Sequence, residues 1–216
     1  MNDEKMFITR PNYDDTTSYL FHWSENIIEF AENKNINFID FKGERVNKKD
    51  VEKLIVKQNP KLIVFNGHGS DDAIYGHNDE TLIKTGENEK ILKSKIVYSV
   101  TCNSAKKLGP ETVKSGIRTF IGYENPFVFL VDKNKTCTPL LDKVAEPFFD
   151  SSNQLVISLL KSRTTGEAYN KSQSTFNKWI EFFQRSDAPQ DSLFILRWLI
   201  WDRDCQKLLG DENSLF

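Results

Sequence analysis

A chain of 216 residues, 38% hydrophobic with 16 Phe and 4 Trp, is long enough to bury one well-filled core. Charged residues make up 28%, which argues against a membrane protein, and 29 Lys and Arg against 31 Asp and Glu leave a formal net charge of −2. That balance removes the general attraction to phosphate on which nucleic-acid binders rely.

The opening MNDEKMFITR lacks the apolar core of a signal peptide, and no stretch approaches the roughly 18 apolar residues of a membrane span. The expectation is a cytoplasmic protein with neither nucleic acid nor membrane as a partner. Cys102, Cys137 and Cys205 are widely spaced, with no CxxC pair, so neither a disulfide framework nor a cysteine zinc site is indicated.

In chain order, MFIT (6–9) reads as a strand ended near Pro11. A helix follows over TTSYLFHWSENIIEFAENKN, with Leu20, Trp23, Ile27, Ile28, Phe30 and Ala31 at helical spacing and Thr16, Thr17 or Ser18 as its cap. NFIDF (37–41) is a second strand, NKKDVEKLIVKQN (47–59) a helix stopped by Pro60, and KLIVFN (61–66) a third strand. SDDAIYGHNDETLI reads as a hairpin or a loop, and ENEKILKS as a helical turn. KIVYSV (95–100) and IRTFIGY (117–123) are strands around a short helix in NSAKKLGPETVKSG.

From about residue 138 the pattern is helical, and EAYNKSQSTFNKWIEFFQR and SLFILRWLIWDRDCQKLLG are each long enough for a helix. Strands alternating with helices, and apolar along their whole length, predict an α/β fold: a mostly parallel sheet flanked by helices, with a helical C-terminal part. Residues 1–135 form the α/β core in this reading, and 136–216 the helical part packed on the same domain.

Ligands of open parallel sheets bind outside the carboxyl ends of the strands. His68 and Cys102 each follow an apolar strand directly, in KLIVFNGHGS and KIVYSVTCNSA. A thiol is mostly protonated at neutral pH, and a neighbouring imidazole can take its proton or stabilise the thiolate. Gly67 and Gly69 permit close backbone approach and leave amides free for a developing oxyanion. Asn103, Ser104 and Ala105 are expected to open a helix whose N-terminus favours the thiolate. Cys137 in a polar loop, Cys205 in the tail, His22 within an amphipathic helix and His77 have no such strand-end position. The acids of the DDT and HNDE segments are unpaired in pattern, and no ligand set for a metal or organic cofactor is evident.

At these two segments the sequence resembles the caspase-like cysteine peptidases (clan CD), the group of caspases, gingipains, clostripain, separase and the CHAT-domain proteases. NGHGS is similar to that group's histidine-glycine motif, and IVYSVTCNSA to its apolar strand ending in the nucleophile. SAKKLG followed by SGIRTFIGYENPF looks like the helix and strand after the catalytic cysteine in bacterial members. The resemblance covers about residues 6–130. It implies a caspase-hemoglobinase-like fold in an intracellular thiol protease, with Cys102 attacking a peptide carbonyl and His68 as general acid and base. The amides of Gly69 and Cys102 then form the oxyanion hole. Val100 and Thr101 stand where caspases and metacaspases often carry an acidic or diagnostic residue.

Glu124, Asp71, Asp72 and Asp132 are the candidate substrate-binding acids, and a carboxylate there favours Arg or Lys before the scissile bond. The implied partners are a protein or peptide substrate and an activating or regulatory protein, the latter on the apolar tail around RWLIW if that helix is exposed. Two rival readings remain. One is a catalytically silent domain of this fold that binds a partner through its tail. The other, a nucleotide-binding sheet, lacks a Gly-rich phosphate loop, since TRPNYDDTTS contains no glycine.

Overall fold

The structure, a computed structural model, describes residues 4–189 and 192–216. In chain order the first half contains β1 (Met6–Arg10), α1 (Asp15–Trp23), α2 (Glu25–Asn33), β2 (Phe38–Lys42), α3 (Lys48–Gln58) and β3 (Leu62–Asn66). After the small hairpin of β4 (Ala73–Tyr75) and β5 (Thr81–Lys84) come β6 (Ile96–Val100), α4 (Leu108–Lys114) and β7 (Thr119–Tyr123). The rest is α5 (Glu146–Leu160), α6 (Thr165–Phe183), α7 (Ser192–Cys205) and β8 (Gln206–Gly210).

Six strands form one sheet in the order β2-β1-β3-β6-β7-β8, parallel from β2 to β7, with β8 antiparallel on the edge. The fold is thus the mostly parallel, helix-flanked sheet expected from the sequence. Each central strand serves two cores, which explains the unbroken apolar runs. Met6, Ile8, Leu62, Val64, Ile96 and Tyr98 face α1, α2, α5, α6 and α7, while Phe7, Ile63, Phe65 and Val97 face α3, α4 and the hairpin.

Three local expectations are corrected. The first helix breaks in two at Ser24, because the carbonyls of Phe21 and Trp23 are taken by the Arg10 guanidinium at 2.9 Å and the Asn153 amide at 2.8 Å. Its cap is Asp14, whose carboxylate accepts from the Thr17 amide at 2.7 Å, rather than Thr16, Thr17 or Ser18. The last helix stops at Cys205, and QKLLG becomes β8. Helix propensity is adequate there, but the open edge of β7 needs backbone partners. Gln206, fully buried, also donates to Ser172 Oγ at 3.1 Å and to Tyr123 at 3.3 Å, which fixes the strand's register.

The tail helix buries one face and leaves apolar residues on the other. Leu199 and Ile195 enter the core, while Leu193 and Phe194 are 76% and 70% exposed. Among the described residues, no helix is long and apolar enough to cross a membrane.

Candidate active site

The chain passes from β1 to β2 on one side and then to β3 on the other, so the order of the sheet reverses at β1 and β3. Ligand sites of such sheets lie at the carboxyl ends beside that reversal. The loop after β1 delivers Asp14 and Asp15 there, the loop after β3 delivers His68, and the loop after the adjacent β6 delivers Cys102.

Two glycines shape the histidine loop. Gly67 has φ +145°, and a Cβ on it would lie 2.8 Å from the Tyr75 carbonyl oxygen. A Cβ on Gly69 would lie 2.8 Å from the Cys102 carbonyl oxygen and from the Thr101 side chain. Only glycine lets these two strand-end loops touch. Among the described residues, no hydrogen bond donated by the amides of Gly69 or Cys102 is seen; Cys102 lines the cavity described below, and Gly69 sits behind it against the Cys102 carbonyl.

His68 Nε2–H donates to Asp14 Oδ2 at 2.7 Å, and the edge of Tyr13 packs near the imidazole, with ring centroids 6.1 Å apart. Asp14 therefore does two jobs, capping α1 and orienting His68. Burial acts to raise its carboxyl, but hydrogen bonds from Thr17 and His68 outweigh this and hold it below its ordinary value. Replacing Asp14 by Asn keeps a capping side chain but removes the charge that faces the imidazole. The expected result is a kcat lower by about tenfold to a hundredfold with a small drop in melting temperature, because the depressed carboxyl also contributes stability to the fold, read by steady-state kinetics and thermal unfolding.

Cys102 is partly buried and, with His68, lines a cavity of about 360 Å³. Burial pushes its thiol up, while a backbone hydrogen bond from Phe127 favours the thiolate. The sequence predicted a helix N-terminus beside the sulfur, and this is corrected. Residues 102–107 form turns, with Asn103 at φ +61°, and α4 begins only at Leu108. The turn is instead held by the amides of Asn103 and Ala105, which donate to the carbonyls of Asn125 and Tyr123 at 3.3 and 3.0 Å. Proline at 110 and the tie to β7 outcompete helix in this stretch.

The four candidate substrate-binding acids lie outside this cavity. Glu124 pairs with Lys207 at 3.0 Å, Asp71 with Lys106 at 3.0 Å, and Asp72 with Lys107 at 3.7 Å. Asp132 caps its own turn by accepting from the Asn134 amide at 2.9 Å. The acid on the cavity wall is Asp15, with Tyr19, Phe127 and Phe129 beside it. The sequence shows only that Asp14 and Asp15 come shortly after the first strand; what brings them to the site is the reversal of the sheet's order at that strand. That reversal is a property of strand order, which a single sequence does not display. Among the described residues, no group of three or more His, Cys, Asp or Glu is placed to hold a metal.

No protein-family model matches the chain, and no curated protein matches it. Solved structures do. Separase in the Saccharomyces cerevisiae separase–securin complex aligns over 96% of this chain and 12% of its own, with TM-score 0.57 and 13% identity. The Arg-specific cysteine proteinase gingipain R aligns over 99% of this chain and 47% of its own, with TM-score 0.59 and 13% identity. The complex of the pro- and mature domains of Porphyromonas gingivalis RgpB gives 99% and 48%, with TM-score 0.60 and 11% identity.

The chain has the caspase-like fold. It spans about half the length of the gingipain chains and a small part of separase, and the fold is what the likeness shows.

Proposed function

We propose that this caspase-like chain is a cysteine endopeptidase that cuts protein or peptide substrates after Arg or Lys. The observation that carries the reading is the meeting of His68, held by Asp14, and Cys102 on one cavity at the carboxyl ends of adjacent strands.

In the reaction, the Cys102 sulfur attacks the scissile carbonyl carbon while the thiol proton passes to His68. The amides of Gly69 and Cys102 receive the oxyanion. Collapse of the tetrahedral intermediate breaks the C–N bond, His68 protonates the departing amine, and a thioester remains on Cys102. Water activated by His68 then attacks the thioester, releasing the carboxylic acid and returning the proton to sulfur.

The wall of the cavity supports the basic preference. The aliphatic stem of Arg or Lys packs on Tyr19, Phe127 and Phe129, and its charge meets Asp15. All three cysteines are free, and Cys137 is an exposed thiol, which suits a reducing, intracellular compartment.

Cleavage of a fluorogenic peptide library by the wild type and by Cys102→Ala tests the reading. Hydrolysis that disappears in the variant supports it, and equal hydrolysis by both proteins refutes it. Asp15→Asn is expected to lower kcat/KM for Arg and Lys substrates by about tenfold, with Leu substrates changed less than about twofold. Equal losses on both substrate classes would place Asp15 outside the specificity pocket.

A second reading is favoured by the exposed Leu193 and Phe194 on α7: a catalytically silent domain that binds a regulatory protein through its tail. Under that reading Cys102→Ala changes nothing, whereas Phe194→Ser abolishes association with the partner.

A further inference from the structure

The segment leaving β7 is held between the cysteine turn and the last turn of α7. Glu124 N–H donates to the Cys205 carbonyl at 2.9 Å, and Asn125 Nδ2 donates to Cys205 Sγ at 3.4 Å. Trp201 Nε1–H donates to the Pro126 carbonyl at 2.9 Å, and Val128 N–H donates to Asp202 Oδ1, also at 2.9 Å. Between these last two contacts lies Phe127, whose amide reaches the Cys102 sulfur and whose ring lines the cavity.

Asp202 is an unusual choice for this position. It is fully buried, and its Oδ2 has no partner among the described residues. Placing a carboxylic acid in a core without a cation costs stability, so a structural account alone would favour Asn or Ser at this point of α7.

We propose that Asp202 is a positioning residue for the nucleophile: its buried carboxyl fixes the Val128 amide and thereby aims the neighbouring Phe127 amide at the Cys102 sulfur. The proposal rests on Cys102 being the reactive thiol of the cavity.

Electrostatics agree with a neutral carboxyl in this role. Burial pushes Asp202 well up, and the Val128 amide pulls it only partly back. The titratable groups around it are Cys102 after β6, Tyr98 in β6, Tyr123 in β7 and Cys205 in its own helix, each pushed up by burial and further by a negative charge on Asp202. An ionised Asp202 therefore opposes the thiolate, while a neutral one leaves the Phe127 amide to favour it. The acid can hold the segment in place without adding charge beside the nucleophile.

The test is the pH profile of Cys102 alkylation by iodoacetamide, followed by mass spectrometry of the Cys102 peptide. It needs no turnover, so it reads the proposal even for a protein that cuts no peptide, and failure of the peptidase reading stays separate. Asp202→Asn retains a carbonyl that accepts from Val128 and is expected to alkylate at a midpoint equal to or slightly below wild type. Asp202→Ala loses the acceptor, and its midpoint is expected to rise by about one unit, or about tenfold slower labelling at neutral pH.

Trp201→Phe removes only the bond to Pro126, and a smaller rise is expected. This exposed variant carries the test if Asp202→Ala does not fold. A midpoint in Asp202→Ala or Trp201→Phe equal to wild type, or a rise in Asp202→Asn as large as that in Asp202→Ala, would overturn the proposal.

Discussion

Cys102→Ala is expected to lower hydrolysis of an Arg-containing peptide by about 10⁴-fold or more, and His68→Ala by about 10²- to 10⁴-fold. The first variant has no atom to form the thioester. The second keeps the thiol, but burial holds it up toward the protonated form and no imidazole remains to take its proton. Two residues that act as a unit are grossly non-additive, so His68→Ala combined with Cys102→Ala falls no further than Cys102→Ala alone. Kinetics of the four proteins check this. A double variant much slower than either single one would mean that the two side chains work independently, against the shared cavity that both line.

The second large effect concerns stability. Arg10 ends β1 with its side chain fully buried, paired to Asp40 by two bonds of 2.8 and 2.5 Å and to Glu25 at 2.6 Å. Its guanidinium also stacks over Phe21, 4.6 Å from the ring centre. Asp40→Ala leaves that cation facing only Glu25, which is 36% exposed and partly screened, and the Phe21 carbonyl. The expected loss is about 3 kcal/mol, the lower end for breaking a buried ion pair, because those partners remain. For a chain of this size it lowers Tm by roughly 6–12 °C.

Replacing both partners, Arg10→Met with Asp40→Leu, removes the stranded charge and is expected to lie closer to wild type than Asp40→Ala does. Thermal unfolding of the variants decides the matter. An Asp40→Ala protein as stable as wild type would show that the pair contributes nothing net. The network also sits at the root of the loop that carries Asp14 and Asp15, so a loosened Arg10 is expected to affect activity as well as stability.

The sheet was legible because buried parallel strands leave a simple trace: LIVF and IVYSV are apolar on both faces. The places of His68 and Cys102 at strand ends were legible for a related reason. A polar, reactive residue directly after such a run lies at the edge where these sheets bind ligands.

What escaped the sequence depends on distant partners. Asp14 reads as one more acid in a polar loop, and only the reversal of strand order brings it to His68. Glu124 follows a strand as His68 does, yet Lys207 of β8 reaches it from the far end of the chain. QKLLG carries no strand signal of its own and pairs because β7 offers an open edge. Asp202 carries no signal of its own in the sequence, and its burial follows from packing of the 126–129 segment against α7.

The central claim is that the fold presents Cys102 as a nucleophile prepared by His68. Incubation with a peptidyl-arginine chloromethyl ketone, followed by mass spectrometry of all three cysteine peptides, tests it most directly. The account predicts that Cys102 displaces chloride and carries the peptidyl group, that exposed Cys137 and buried Cys205 remain unmodified, and that His68→Ala slows the labelling severely. Modification of Cys137 with Cys102 untouched, or labelling of Cys102 at the same rate without His68, would contradict it.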